Sequence, residues 1–114
     1  MSYIDLQTAL INAGASLSAE IPLGEKTLVG VIIPAAWDAA GLTFQATPDD
    51  VTFSEMVDGA GNAISLTVAA GQFVLIDPAK WRGVTGIKVR SGTISVPVSQ
   101  TANRSIILVT RTVY

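Results

Sequence analysis

Apolar and polar residues alternate along most of the chain, with a period of two. This period is typical of β-strands that turn one face to a core and the other to water. Three segments show it most clearly, with apolar members Leu17, Ala19, Ile21 and Leu23 in residues 16–23, Leu42, Phe44 and Ala46 in residues 41–47, and Ile64, Leu66 and Val68 in residues 63–69. Phe44 and Leu66 lie at mid-strand and are predicted core residues.

Further apolar, β-branched runs are bounded by Gly, Pro, Asp or Asn, which are common at strand ends. They are TLVGVIIP (27–34), QFVLIDP (72–78), GIKVRSG (86–92) and RSIILVTRTV (104–113). The whole pattern predicts about seven or eight short strands, roughly one every ten residues. We expect an all-β fold, an antiparallel β-sandwich or jelly roll, with residues 1–114 forming a single domain.

Three segments have a less definite pattern. YIDLQTALINAGA (3–15) fits a helical face but also alternates as a strand, and the strand is favoured. PAAWDAAG (34–41) predicts a single helical turn between two strands. DPAKWRG (77–83) predicts another turn, with Asp77 as its cap and Pro78 at its first position.

The last strand is apolar on both faces. Four apolar residues follow one another there, Ile106, Ile107, Leu108 and Val109. Either this strand is central and covered on both sides, or its second face meets another subunit. Because successive side chains of a strand point to opposite faces, Ile106 and Leu108 share one face, and Ile107 and Val109 share the other. These four residues are the candidate oligomer interface.

The composition narrows the function classes. The chain has no Cys and no His, which excludes a disulfide framework, a Ser-His-Asp triad and a typical zinc site within it. Charged residues make up only 14% of the chain, against about 25% in an average soluble domain, so we expect association to cover part of the surface. No cofactor is expected.

Charge and length also bear on the expected partners. The net charge of −2 and the lack of a basic run argue against nucleic acid. The longest apolar stretch, residues 28–37, is broken by Pro34 and is about half of a membrane-spanning helix. The first ten residues have no basic region or continuous apolar core, so no secretion signal is expected.

Four acidic residues cluster in residues 47–62, namely Asp49, Asp50, Glu55 and Asp58. Their spacing does not match an EF-hand loop. Pro48 followed by two Asp residues favours a β-turn, and Asp58-Gly59-Ala60-Gly61-Asn62 favours a hairpin loop. An irregular calcium site and a catalytic pair are the weaker alternatives, so no metal site is predicted. Glu55 is expected near a sheet edge or turned outward by a bulge.

Two tryptophans, Trp37 and Trp81, lie near Asp38 and Asp77 respectively, as in some sugar-binding sites. The favoured interpretation is that each indole plugs one end of the sandwich. A separate candidate is a basic face, for which the cations are Lys88, Arg90, Arg104 and Arg111. Such a face would either be solvated or meet the acidic turns of a neighbouring subunit.

Four long segments together resemble a family of small proteins from tailed bacteriophages and prophages. They are GASLSAEIPLGEKTLVGVIIPAAWDAAGLTFQAT (14–47), TFSEMVDGAGNAISLTVAA (52–70), VLIDPAKWRGVTGIKVRSGT (74–93) and PVSQTANRSIILVTR (97–111). PAAWDAAGLTFQAT and IKVRSGT carry most of the resemblance. Where such relatives often have a Ser-x-Asp-Gly turn, this chain has Thr47-Pro48-Asp49-Asp50.

The resemblance implies a non-enzymatic virion protein with a β-sandwich fold, similar to capsid decoration (cement) and head-fibre components. It implies assembly in the host cytoplasm, a final place in the virion, and a homo-oligomer, with a trimer preferred. The major capsid protein or other virion proteins would be the partners. The alternative from another class is a carbohydrate-binding module that recognises host-surface sugars through Trp37 or Trp81.

Overall fold

A computed structural model describes residues 4–112 of the chain. The strands are β1 (Ile4–Ile11), β2 (Ile21–Pro22), β3 (Lys26–Ile32), β4 (Leu42–Thr47), β5 (Ser54–Glu55), β6 (Ser65–Leu66), β7 (Phe73–Leu75), β8 (Gly86–Ser91) and β9 (Arg104–Thr112). A single 3-10 turn, Pro78–Trp81, lies between β7 and β8. Within residues 4–112 no helix is both long and apolar enough to cross a bilayer.

The strands form two antiparallel sheets packed face to face, which confirms the predicted all-β sandwich. One sheet has the order β1-β9-β3-β7. The other has the order β2-β8-β4-β5, with β6 also paired to β4. Within the described part of the segment 3–15, Ile4–Ile11 form a strand, as favoured. The last strand, β9, is central because β1 and β3 flank it.

The core lies between the two sheets. Phe44 of β4 is almost fully buried and packs edge-on against Trp81, with ring centroids 4.8 Å apart. Ile106 and Leu108 of β9 face this core from the other sheet. The predicted core position of Phe44 is confirmed. Leu66 is only partly buried and packs at the core margin, because β6 is a two-residue strand at the side of the sheet.

Alternation fails in residues 16–23. Ile21 and Leu23 are buried as expected, but Ala19 is exposed and Leu17 pairs with Arg90 in an isolated bridge. Ser18 is buried instead, and its hydroxyl accepts a hydrogen bond from the Val89 amide (2.9 Å). A side chain-to-backbone bond of this kind competes with regular strand pairing, so β2 is only two residues long.

The two predicted helical turns have different outcomes. The turn at residues 77–83 is confirmed, since the Asp77 carboxylate accepts from the Ala79 amide (3.1 Å) and Pro78 opens the 3-10 turn. The turn predicted at residues 34–41 is wrong. That segment is a loop of bends whose polar groups bond to residues 100–104 rather than to a local helix.

Candidate functional site: two unlike sheet faces

The outer face of the four-stranded sheet is apolar, and we name it the open face. Directly paired residues of an antiparallel sheet lie on the same face, so the register defines its membership. Its apolar residues are Ile4, Leu6 and Leu10 of β1, Ile107 and Val109 of β9, Ile32 of β3, and Phe73 and Leu75 of β7. Thr8, Ser105 and Arg111 have the same parity.

Much of the open face is in contact with water. The exposed fractions are 77% for Leu75, 65% for Ile4, 59% for Leu6 and 56% for Phe73. Single exposed apolar side chains are ordinary, but a contiguous group of them marks an interaction surface. Because four strands contribute to it, the open face is such a group.

Gly30 and Phe73 shape the middle of the open face. Gly30 is paired with Val109 on one side and with Leu75 on the other. A methyl group built on Gly30 would come within 2.5 Å of the Phe73 ring, so the ring lies across the glycine. The aromatic ring covers the backbone that the absent side chain of Gly30 leaves uncovered, so this part of the face stays flat.

The alternation in β1 is opposite to the usual arrangement. Ile4, Leu6 and Leu10 point outward, whereas Asp5 and Gln7 point toward the second sheet. Asp5 pairs there with Lys26 (2.9 Å), and the Gln7 amide donates to the Pro22 carbonyl of β2 (2.8 Å). The strand therefore turns its more apolar side away from the core over most of its length.

The candidate interface of the last strand divides between the two faces of β9. Ile106 and Leu108 have no exposed surface and fill the core, so of the two pairs this is the one that faces the core and it is not available as an interface. Ile107 and Val109 have the other parity and lie on the open face. Ile107 is half-buried and Val109 is nearly buried beneath its neighbours.

The outer face of the five-stranded sheet is polar, and we name it the closed face. Its residues include Thr43 and Gln45 of β4, Glu55 of β5, Ser65 of β6, and Lys88 and Arg90 of β8. Arg90 is only 7% exposed and forms a two-point ion pair with Glu55, with N–O distances of 2.8 and 2.7 Å. Gln45 donates a further hydrogen bond to the Glu55 carboxylate (3.0 Å).

The four cations do not form one exposed basic face, and that candidate is wrong. Lys88 and Arg90 do share one side of β8, but Arg90 is buried against Glu55 and Lys88 lies over the Phe53 ring at 4.8 Å. Arg104 and Arg111 belong to the other sheet. Arg104 pairs with Asp38 (3.2 Å), and Arg111 is exposed at one end of the open face.

Gln100 holds the loops together at the end of the sandwich where Arg104 begins β9. Its side chain is fully buried, accepts from the Asp38 amide (2.9 Å) and donates to the Ser91 hydroxyl (2.8 Å). Asp38 in turn accepts from the Thr101 amide (2.7 Å), the largest of the causes that lower its pKa. These bonds are satisfied within the chain and join the loop at residues 34–41 to the segment before β9, so the network explains the order of the loops rather than chemistry.

The two tryptophans are not equivalent. Trp81 is 1% exposed and is packed against Phe44, so it cannot stack on a sugar and its candidacy as a binding residue is wrong. Its burial agrees with the plug interpretation. Trp37 is half-buried against the core margin, and its indole nitrogen donates to the Ala40 carbonyl of its own loop (3.1 Å).

The acidic residues of the segment 47–62 act separately, in line with the predicted turns. Asp49 accepts from the amides of Thr52 and Val51, which lower its pKa in that order of size. Asp58 likewise accepts from the amides of Asn62 and Ala60, and these bonds lower its pKa. Asp50 has a positive φ of 62° and accepts from the Thr85 hydroxyl.

Glu55 lies at a sheet edge, as expected, because β5 ends the strand order. The Arg90 guanidinium is the main cause that lowers the pKa of Glu55, and it outweighs the partial burial that acts in the opposite direction. Among residues 4–112 no three acidic side chains come together in a group that could hold a metal ion.

The exposed apolar residues of β1 and β7 were missed by sequence reasoning. Ile4, Leu6 and Leu10 were recognised as an alternating set, but such a set is ordinarily assigned to the core. The available signal was that QFVLIDP, like the last strand, is apolar at both parities. Two strands apolar on both faces exceed what one core can cover in a small sandwich.

Comparison with known proteins gives one likeness of fold. No protein-family model matches the chain, and no curated protein sequence matches it. Among solved structures, the chain is similar to the SPBc2 prophage-derived protein YomS, with a TM-score of 0.55 and 14% sequence identity. The likeness covers 96% of this chain and 95% of that one. At this identity it shows a shared fold alone.

Proposed function

We propose that this chain is a non-enzymatic structural protein of a phage virion, a capsid decoration (cement) or head-fibre component that associates with itself. The open face is the observation that carries the proposal. An apolar surface built from four strands is unfavourable in water, and association removes it from water. The low content of charged residues points the same way.

The phage context has two supports. One is the resemblance of most of the chain to small tailed-phage virion proteins. The other is the fold likeness to a prophage-derived protein, which extends over nearly the full length of both chains. In this proposal the partners are other copies of the chain and then the major capsid protein or other virion proteins, and the location is the virion.

A carbohydrate-binding module is less well supported. Of its two aromatic candidates, Trp81 is buried, and the indole nitrogen of Trp37 already donates within its own loop. Sugar recognition of this kind needs an exposed aromatic face together with free polar groups around it. A titration with sugars, followed by tryptophan fluorescence, should show no saturable change.

The virion proposal is tested on particles from the cells whose genome carries this gene. After infection or prophage induction, the particles are purified on a density gradient and their proteins are quantified by mass spectrometry. We expect this chain in the particle fraction at a fixed copy number per capsid protein, and density for it in electron microscopy maps. Recovery of the chain only from the soluble host fraction would overturn the proposal.

A further inference from the structure

We propose that the open face packs against the open face of a second copy of this chain, in an isologous two-fold contact. This inference rests on the self-association in the proposed function and names the surface and the occupant. Four strands spaced about 4.8 Å apart and up to about 30 Å long, with β7 much shorter, give roughly 400–500 Å² of projected area per copy. Two such faces bury about 800–1,000 Å², which is below the roughly 1,200 Å² of a standard specific interface and is the size of a weak, reversible contact.

The surface that packs on the open face is a second open face, because no other described surface of the chain is a comparable apolar surface. The closed face is polar, its Glu55 and Arg90 are paired with each other, and its Lys88 lies over the Phe53 ring. The remaining exposed large apolar residues, Val51, Val57, Ile94 and Val96, lie outside the strands of both sheets. A ring of copies needs two different complementary surfaces, whereas a two-fold contact needs only one.

Charge fixes the direction of the contact. Among the described positions of the open face only Arg111 is charged. It lies near one end of β9, and Ser105 lies near the other end of the same strand. Six residues of strand separate these two positions, which is about 20 Å. A two-fold axis across the strands, near Ile107, places the two Arg111 side chains at opposite ends of the contact, where both stay in water. An axis along the strands would bring both to the same end.

The first experiment introduces lysine on the open face. Leu75→Lys and Leu6→Lys change exposed side chains, so the isolated domain should keep its fold. In the dimer each lysine would be buried without a partner, which should weaken association by roughly 100-fold or more. Val51→Lys is the matched control, because Val51 is 79% exposed and lies off the open face. Sedimentation velocity over a concentration series and circular dichroism give the two readouts.

The second experiment uses the absence of cysteine from the chain. A single cysteine at Ile107→Cys should cross-link to its own copy through a short bis-maleimide reagent, because Ile107 lies near the proposed axis. Sheets packed face to face lie about 10 Å apart, which is too far for a direct disulfide. Val51→Cys should not cross-link above the background of chance collisions. This result does not depend on how the lysine variants fold.

The outcomes separate this inference from the proposed function. A wild-type dimer that Leu6→Lys and Leu75→Lys abolish, and that Ile107→Cys traps, supports the inference. A wild-type oligomer unaffected by both lysines, or a trimer in which Ile107→Cys does not cross-link, overturns it and leaves self-association standing. A wild type that is monomeric at high concentration overturns both, while membership of the virion is still decided by the particle analysis.

Discussion

The open face and the closed face are outer surfaces of the same sandwich, yet their side chains obtain their partners in different ways. On the closed face Arg90 and Glu55 form an ion pair within the chain, and Gln45 donates a further hydrogen bond to the Glu55 carboxylate. On the open face Leu6, Phe73 and Leu75 have no cover from the described part of the chain. On the closed face Arg90, Glu55 and Gln45 find their partners within one chain, whereas the apolar side chains of the open face are removed from water only by association.

The difference shows why exposure and polarity have to be considered together. A buried ion pair like that of Arg90 and Glu55 is weak evidence for extra stability, because taking both groups out of water offsets much of their attraction. An exposed apolar face adds nothing to the fold of the single chain but can drive association. The closed face therefore contributes to the folding of one copy, and the open face to the association of two copies.

The largest expected effect separates the two faces of β9. Leu108→Asp places an unpaired carboxylate in the core and should cost about 5 kcal/mol or more, comparable with the whole stability of a small domain. Ile107→Asp changes the open face and should leave a folded monomer. Circular dichroism and urea denaturation measure both variants. If both unfold to the same extent, Ile107 is as essential to the core as Leu108 and the open face is misassigned.

The next effect lies on the inner side of the five-stranded sheet. Phe44→Ala should cost about 3–5 kcal/mol, because it removes a buried ring and its contact with Trp81. Leu66→Ala should cost only about 1–2 kcal/mol, since its side chain is partly in water. Denaturant midpoints at equal slopes would report the difference. Equal losses would mean that Leu66 belongs to the core as fully as Phe44.

A smaller effect is expected on the closed face itself. Arg90→Met keeps the apolar stem but leaves the Glu55 carboxylate without its main partner, and should cost about 1–3 kcal/mol. Because Glu55 is partly exposed, water can replace some of the lost bonds, so the lower half of that range is expected. Arg111→Met, on the open face, should stay within about 0.5 kcal/mol of the wild type.

A double variant tests whether the two residues act as a pair. Adding Glu55→Gln to Arg90→Met removes the stranded charge and should restore part of the loss. If the two single losses simply add, the ion pair contributes no coupling and the closed face is held by its strand pairing alone.

The sequence predicted much of the fold because short-range signals specify it. The alternation around Phe44, the β-branched run of β9 and the Asp77-Pro78 turn all express local preferences that the tertiary structure keeps. Glu55 was assigned to an edge because an unpaired carboxylate is costly among apolar groups. Its partner was not predicted, since Arg90 is 35 residues away and nothing local joins them.

The sequence pattern did not predict which face of each strand meets the core. A period of two identifies the two sides of a strand but not which side meets the core. In β1 the apolar side faces outward, and in residues 16–23 Ser18 replaces an apolar neighbour in the interior. The loop at residues 34–41 was read as helical from its alanines, whereas long-range bonds from Gln100 and Thr101 decide its path.

The smallest expected effect uses pH to tell the two faces apart. The pKa of Glu55 in the folded chain is lowered, mainly by its hydrogen bonds with Arg90, so the unfolded chain binds a proton more readily. A lowered pKa contributes stability that is complete above the ordinary value of 4.5 and is lost as the pH falls through the folded value. The pKa values of Asp5, Asp38, Asp49 and Asp58 are also lowered and act in the same direction.

The free energy of unfolding should therefore fall steadily as the pH drops below about 4.5, and more gently in Glu55→Gln than in the wild type. Glu25→Gln, which removes an exposed carboxyl between β2 and β3, is the matched control for the loss of one negative charge. Association through the open face should not change over the range in which the chain stays folded, because no carboxyl group lies among the described positions of that face. Urea denaturation and sedimentation at the same series of pH values measure both quantities. An acid-induced loss of the dimer before any loss of fold would show that a carboxyl group takes part in the contact, and the division of roles between the two faces would then be wrong.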